Sequence, residues 1–345
     1  MVKLRLSSRY YKASDGVPLI PHKSSETSQI LKDFEVYQDT YYKKVKIKCV
    51  CGSEDSYQIS SRCREGFYFP LSICKSCGLI KAMEYWDENS VNDYYSNWYR
   101  KIYDSEESTE SDTERFYQGQ AKHSKQVKKY LSEFTDKLNQ PYTIFDIGGA
   151  AGGVMDAFKN EADRYLFDFN HSLLASAKQR GITTIEGGLE SLGKVDKKPD
   201  LVILSHVLEH VVDIDRALKD LSHSLKEGSL LYIELPGVDS LKLGRRKFDF
   251  LGDIHKPHVT YFSSKVLENL LSRYGFKVLK SNAIIEGIFE YTGERSDLVN
   301  FHDNVVLDIK SAEFRRKLGF DKFKNILSKI FPKNIKIFLK NIRGW

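Results

Sequence analysis

Thr143-Ile144-Phe145-Asp146-Ile147-Gly148-Gly149-Ala150-Ala151-Gly152-Gly153 is the stretch that decides the fold. Thr143 to Ile147 is a β-prone run that feeds directly into a Gly/Ala loop, and Val154-Met155-Asp156-Ala157-Phe158 then opens a helical segment. Strand, small-residue turn and helix together make a nucleotide-sized seat. Glycines permit positive φ and let backbone N–H groups approach a ligand closely, with a helix N-terminus behind them. The spacing is Asp-x-Gly-x-Ala-x-Gly, not the dinucleotide fingerprint that opens on a bare glycine. An acid ahead of the first glycine suits a cationic ligand better than a pyrophosphate.

The segments that follow continue the pattern. Arg164-Tyr165-Leu166-Phe167 is strand-like and runs into Asp168-Phe169-Asn170. Asp168 falls where an acid ending the second strand of a βαβ unit accepts from ribose hydroxyls; the competing role is a cap for a helix over Leu173 to Gln179. A third strand, Ile182 to Ile185, leads to Gly187-Gly188-Leu189-Glu190, and Pro199 to Ser205 reads as a buried fourth. It ends in His206-Val207-Leu208-Glu209-His210-Val211. The His-x-x-Glu-His string is not an inverted zinc-peptidase motif, because that chemistry needs both histidines in mid-helix and His206 emerges from a strand end. Asp213 to Leu225 is an amphipathic helix, and Leu230 to Leu235 is a fifth strand stopped by Pro236-Gly237. Strands alternating with helices predict an α/β fold with a doubly wound parallel sheet. Ligands sit at the C-terminal edge of such a sheet, where Gly148, Asp168, Glu190 and His206 would converge.

The glycine loop resembles the first motif of the class I S-adenosylmethionine-dependent methyltransferases, Asp/Glu-x-Gly-x-Gly-x-Gly, with Ala150 in place of the middle glycine. The string from His206 to Val211 resembles the segment after their fourth strand. The resemblance implies a Rossmann-like sheet and S-adenosylmethionine as cofactor. It places Asp146, Gly148, Gly149, Ala150, Gly152, Asp168, Phe169, Leu189, Glu190 and Ser205 around that cofactor, with Glu190 near the adenine amino group although Gly188 holds the usual slot. Asp253-Ile254-His255-Lys256-Pro257-His258-Val259-Thr260-Tyr261-Phe262-Ser263 resembles the His-rich loop before the last helix of methyltransferases acting on sugars. After it, Ser263 or Ser264 caps a helix to Arg273, Gly275 ends it, and Phe276 to Leu279 is a strand.

Some sugar C-methyltransferases of that group also carry an N-terminal zinc module and a Tyr-rich segment, so the resemblance spans residues 46 to 280. In those enzymes a Glu-His pair supplies the base, whereas Pro257-His258 lacks the glutamate, which shifts the expectation toward oxygen methylation. The reading is methyl transfer to a hydroxyl of a sugar, nucleotide-sugar or glycan-precursor acceptor. His258 is the general base, with His255 and His206 orienting the acceptor; a packed core histidine is the alternative for His258. An RNA or other small-molecule methyltransferase, a C-methyltransferase acting on a nucleotide-sugar, and a non-enzymatic binding module remain as alternatives. No Lys/Arg stripe with interleaved aromatics lies beside the site, so nucleic acid is not the expected partner.

Upstream, Lys48-Cys49-Val50-Cys51-Gly52 and Cys74-Lys75-Ser76-Cys77-Gly78 look like two zinc knuckles, 22 residues apart between Cys51 and Cys74. Cys49, Cys51, Cys74 and Cys77 are the candidate ligands of a structural Zn²⁺, with Cys63 a possible substitute for Cys49 and free thiols the alternative. Tyr85, Trp86, Tyr94, Tyr95, Trp98, Tyr99 and Tyr103 form a dense aromatic stretch, for stacking on bases or sugars or for packing between modules. Asp104 to Glu114 reads as a solvated loop, and Gln118 to Leu138 as a helix lying across the sheet.

The 345 residues therefore divide into an irregular arm at 1–45, a zinc-binding module at 46–90, a Tyr-rich helical connector at 91–140, a methyltransferase domain at 141–295 and a basic amphipathic helical tail at 296–345. The tail carries Phe314, Phe320, Phe323, Ile326, Leu327, Ile330 and Phe331 among lysines. It reads either as a peripheral contact with an anionic membrane or as a helix docked on its own domain or a second subunit. A hydrophobic share of 41% suits a globular core. No apolar run long enough to span a bilayer occurs, and Met1 to Lys12 lacks a signal peptide's apolar region. The expected location is cytoplasmic, with the inner face of the membrane as the peripheral site, and a net charge of +6 permits an anionic partner without requiring one.

Overall fold

Seven strands build the central sheet in the computed structural model, which describes residues 2–4, 6–12, 18–19, 24–103, 110–136 and 138–319. In chain order, β1 to β5 are Lys44–Lys46, Ser56–Arg62, Tyr68–Cys74, Ile80–Ala82 and Glu84–Trp86; β6 to β10 are Tyr142–Ile147, Ala162–Asp168, Thr183–Glu186, Leu201–Ser205 and Leu230–Glu234; β11 to β13 are Thr260–Tyr261, Phe276–Ser281 and Glu286–Tyr291. The central sheet runs β12-β13-β10-β9-β6-β7-β8. The five strands from β6 to β10 are parallel, while β13 pairs antiparallel with both β10 and β12. The expected doubly wound parallel sheet thus gains an antiparallel edge.

Alternation along each strand explains why both faces are covered. Ile144, Leu201, Ile203, Leu230 and Tyr232 enter one core, with Val127 and Leu131 of the long helix Glu110–Thr135. Phe145, Ile147, Val202, Leu204, Leu231 and Ile233 enter the other, with Leu218, Leu221, Leu267 and Leu271 from helices Ile214–Ser224 and Ser264–Arg273. The chain leaves β6 toward β7 and β8, then returns to β9 on the opposite side. That reversal opens a crevice at the strand ends, so the loops after β6 and β9 face one another across it.

The N-terminal strands form a second sheet, β11-β4-β3-β2, and its edge comes from the far end of the chain. Thr260 and Tyr261 pair with Lys81 and Ile80. Arg64 N donates to Ile254 O at 2.8 Å, and Ala82 N to Val259 O at 2.7 Å. The cysteine-bearing module and the His-rich loop are therefore joined by backbone pairing.

Two sequence expectations change. The arm at 1–45 contains a helix, Ser25–Tyr41, whose N-cap Ser24 accepts from Thr27 N. Its buried side chains, Thr27, Leu31, Phe34 and Gln38, keep a helical 4-3-4 spacing that two polar members hide in the sequence. Residues 110–114 of the expected Asp104–Glu114 loop begin the long helix, and residues 104–109 lie outside the described ones. In the tail, His302–Leu318 is a helix with Val305, Ile309 and Ala312 buried; residues 320–345, which hold the rest of the amphipathic pattern, lie outside the described residues. Among the described residues no helix is long and apolar enough to cross a membrane.

Most of the aromatic stretch is packing. Phe34 is 2% exposed and meets Trp86, Tyr94 and Trp98 with ring centroids 5.1 to 5.5 Å apart. Phe34→Ala should lower unfolding free energy by about 3–5 kcal/mol through the cavity it opens. Val36→Ala on the same helix, 70% exposed, should change it by less than about 0.5 kcal/mol. Denaturant unfolding measures both, and equal effects would show that the helix is not anchored by this cluster.

Candidate active site

Gly148 and Gly152 both have positive φ, 65° and 77°, and so does Ala150 at 53°. The missing middle glycine therefore sits in a left-handed conformation that a Cβ disfavours by about 1–2 kcal/mol. Gly149 is fixed by space: a Cβ there would lie 2.2 Å from Asp146 Oδ2 and 2.5 Å from Leu166 Cδ1. The loop is thus folded down onto a buried carboxyl. Asp146 is 1% exposed, and its Oδ2 has no hydrogen-bond partner. Asp168 accepts from Ala150 N at 2.9 Å and from Asn170 N at 2.8 Å, which locks its carboxylate beside the loop. The cap of helix His171–Gln179 is Asn170, so Asp168 is not consumed by that role.

The remaining candidates surround this seat. Phe169 is half exposed, and its ring lies 3.3 Å from where a Cβ of Gly188 would be. Glu190 accepts from Gly188 N at 2.7 Å and holds that turn closed. Leu189 directs its side chain into the core. Ser205 Oγ donates to Glu234 Oε2 at 3.3 Å. Val207 packs against Gly148, where an added Cβ would meet Cγ2 at 2.9 Å, so the loop after β9 touches the glycine loop directly.

His206 has a φ of 56°, a sparsely populated conformation for a non-glycine residue. It turns the imidazole to a half-exposed position with Nδ1 3.3 Å from Glu209 Oε1 and Nε2 3.9 Å from Glu234 Oε1. Burial pulls its pKa down, but Glu209 and Glu234 outweigh that and hold it above the usual histidine range. Glu209 is 1% exposed. Burial alone would raise its pKa, yet His206, His210 and His258 bring it down to about 2.

His258 and His255 sit deeper, and burial first, then neighbouring cations, drives both well below the ordinary histidine value. Their rings are 5.1 Å apart, and that of His258 is 4.8 Å from His210. His255 Nε2 lies 3.7 Å from Glu65 Oε1. Glu209 comes up against His258 from the β9 loop, with donor atoms of the two within 4.8 Å of each other.

Several members of the site gave no local signal. Gln120 donates to Gly149 O and accepts from Gly153 N, clamping the glycine loop from the long helix. His123 Nε2 is 2.8 Å from Glu234 Oε2. Tyr95 Oη is 2.9 Å from His210 Nδ1. Gln120 and His123 are one helical turn apart, so they share a face, but a polar helical face ordinarily reads as solvated.

Cys49, Cys51, Cys74 and Cys77 converge, with neighbouring Sγ atoms 3.4 to 3.6 Å apart. Gly52 and Gly78 turn the two knuckles at φ near +80° (82° and 83°). Cys63 is not among them; it is buried beside Glu65 and Lys256, so it does not replace Cys49.

Residues 117–281 match the family model described as a methyltransferase domain. The protein is accordingly an enzyme that transfers methyl groups from S-adenosylmethionine. A search of curated proteins finds no match. Similar solved structures include the plantazolicin methyltransferase BamL in complex with a triazolic desmethylPZN analog and SAH: 18% identity, TM-score 0.42, 66% of this chain and 87% of that one. A SAM-dependent methyltransferase from Methanosarcina mazei is 20% identical with a TM-score of 0.38, over 46% of this chain and 96% of that one. Magnesium protoporphyrin IX methyltransferase (ChlM) from Synechocystis PCC 6803 with bound SAH is 17% identical with a TM-score of 0.40, over 61% and 100%.

The seat fits a cationic nucleoside, because the orphaned oxygen of Asp146 has no positive partner among the described residues. Burial and the charge of Asp168 raise its pKa from 3.8 to about 8. The folded protein then keeps a proton that the unfolded chain has lost above pH 4, roughly. This group's contribution to stability is therefore full below that pH and is lost as pH climbs to about 8. A cationic ligand favours the ionised form, so binding near neutral pH should release a proton. Titration calorimetry with S-adenosylmethionine, in buffers of different ionisation enthalpy, should show that release, and Asp146→Asn should abolish it. Identical heats in every buffer would rule out ionisation of Asp146 on binding.

Proposed function

We propose that the enzyme methylates a hydroxyl of a sugar-like acceptor and that the His206 imidazole accepts the hydroxyl proton. The observation that carries this reading is a half-exposed imidazole, held by a buried carboxylate, on the loop that touches the cofactor loop. With Nδ1 donating to Glu209, Nε2 is left to take a proton from the open side, and Glu234 stabilises the imidazolium that forms. His258, partly exposed, and His255, buried behind it, orient the acceptor.

S-adenosylmethionine, when bound, supplies a methyl group already activated on a sulfonium. Asp146 and Asp168 would hold the positive charge and the ribose, and Phe169 would offer a face to the adenine. Acceptor and methyl group must meet in line in a space closed to water. Carbon methylation is the second reading, favoured by Glu209 lying against His258.

The four cysteines are read as a structural zinc site. A tetrahedral ion at about 2.3 Å from each sulfur spaces the sulfurs by roughly 3.8 Å, so the observed cluster closes on zinc with small adjustments. Lys81, buried and donating to Ile47 O at 2.7 Å, and the N-terminus of helix His302–Leu318 offset the excess negative charge. His302 Nδ1 donates to Cys74 O at 3.0 Å, which ties that helix to the knuckle. All four positions are sulfur, so the ion holds structure and leaves no place for substrate.

His206→Ala should cut turnover on nucleotide-sugar acceptors at least a hundredfold while leaving S-adenosylmethionine affinity within about twofold. Near-normal turnover would remove His206 from the role, and the position of the methyl group by NMR decides between oxygen and carbon. Metal analysis of the purified chain should find zinc that Cys77→Ser loses together with several degrees of melting temperature; zinc content unchanged by that substitution would reject the site.

A further inference from the structure

We infer that Glu209, His210 and His258 form a second metal site, a partly buried two-histidine, one-carboxylate set for a divalent transition cation of the zinc class. One donor atom from each lies within 4.8 Å of the others. The set stands apart from the cysteine cluster in both residues and chemistry. It goes beyond the acceptor reading and does not depend on it.

Three observations point to a ligand there. Glu209 Oε2 is fully buried with no hydrogen-bond partner, while Oε1 is taken up by His206. An ionised oxygen left bare in a low-dielectric interior is costly, and a cation removes that cost. His210 Nδ1 lies 3.0 Å from the Pro257 carbonyl, which can only accept. In the tautomer that donates Nδ1–H to that carbonyl, with the Tyr95 hydroxyl oxygen 2.9 Å away as a second acceptor, the ring turns its Nε2 lone pair toward Glu209, 4.0 Å away. A carbonyl fixing the tautomer of a ligating imidazole is the usual outer-shell arrangement of a metal-bound histidine. The His258 ring is hydrogen-bonded by none of the described residues, so a nitrogen is available as the third donor.

Zinc bound at about 2.0–2.1 Å by nitrogen and oxygen donors brings them to roughly 3.3 Å of one another. Closing the set therefore needs side-chain torsions of about an ångström and no backbone movement. The donors come from the β9 loop and the His-rich loop, which Val259 N already joins to Glu209 O at 2.7 Å. Three protein ligands leave a fourth position for a small oxygen ligand, water or an acceptor hydroxyl. Oxygen and imidazole donors select zinc, iron(II) or cobalt over calcium or magnesium.

Chelator-treated full-length protein, kept reduced and titrated with Co²⁺, separates the two sites by spectrum. The cysteine cluster gives intense thiolate charge-transfer bands, and the histidine–glutamate set gives weak visible bands of nitrogen and oxygen ligation. The wild type should bind two equivalents. His258→Ala should lose only the second, and Glu209→Gln should weaken it at least tenfold. Cys77→Ser should do the reverse, losing the thiolate bands and keeping the others. A wild-type titration that ends at one equivalent with thiolate bands alone overturns the proposal, as does a His258→Ala protein that still binds two. If His258→Ala does not fold, the wild-type spectrum decides by itself. Failure here leaves the turnover test of His206 standing, because that test reads methyl transfer and this one reads bound metal.

Discussion

The antiparallel pairing of Thr260–Tyr261 with Ile80–Lys81 is the constraint on which the rest of the site depends. Two residues of strand are a small element. They fix the segment from 253 to 262 between the cysteine module on one side and the β9 loop on the other, where Val259 N meets Glu209 O. His255 and His258 are thus held by backbone hydrogen bonds to both halves of the molecule, and Lys256 reaches Glu35 on the N-terminal helix. The module and the catalytic sheet share hydrogen bonds that neither would satisfy alone, since unpaired buried amides are strongly disfavoured. Loss of the cysteine cluster therefore reaches the histidines through one strand.

That arrangement gathers imidazoles and carboxylates in alternation: His123, Glu234, His206, Glu209 and His210, with His258 packed on the last pair. Each buried charge is compensated only by its neighbours, so removing one member exposes two others. The chain of contacts starts on the long helix, which also clamps Gly149 through Gln120. The glycine loop and Glu234 are consequently braced by one helix face. The left-handed φ of His206 and of Ala150 falls at the two loops that meet across the crevice, which is where backbone strain is retained when geometry matters.

Much of this was legible in the sequence. Regular elements with strong periodicity, β6, β7, β9, β10 and the helices after them, are readable because their apolar pattern repeats several times. The glycine loop is readable because its small residues answer a steric demand, as the space around Gly149 demonstrates. Other features depend on contacts between distant positions. β11 has two residues inside a polar loop, too short for any alternation. The N-terminal helix buries Thr27 and Gln38 in its apolar stripe and so blurs it. β13 begins Glu286-Gly287 and reads as a turn until β10 is placed beside it. The glutamate facing His258 is 49 residues away from it, and no spacing rule reaches that far.

The two buried carboxylates of the site carry the functional argument between them. Asp146 and Glu209 are each 1% exposed, and each has one oxygen without a partner. Desolvation alone should push both pKa values up by comparable amounts. Asp146 does rise, to about 8, because burial acts together with the negative charge of Asp168. Glu209 falls to about 2, because three histidines surround it. The first group is therefore a neutral acid poised to ionise when a cation is brought to it, as a sulfonium nucleoside does. The second is a standing negative charge, able to orient an imidazole and draw in a cation. Exchanging the neighbours would exchange the roles, since burial is the same for both while the surrounding charge and the His206 hydrogen bond differ.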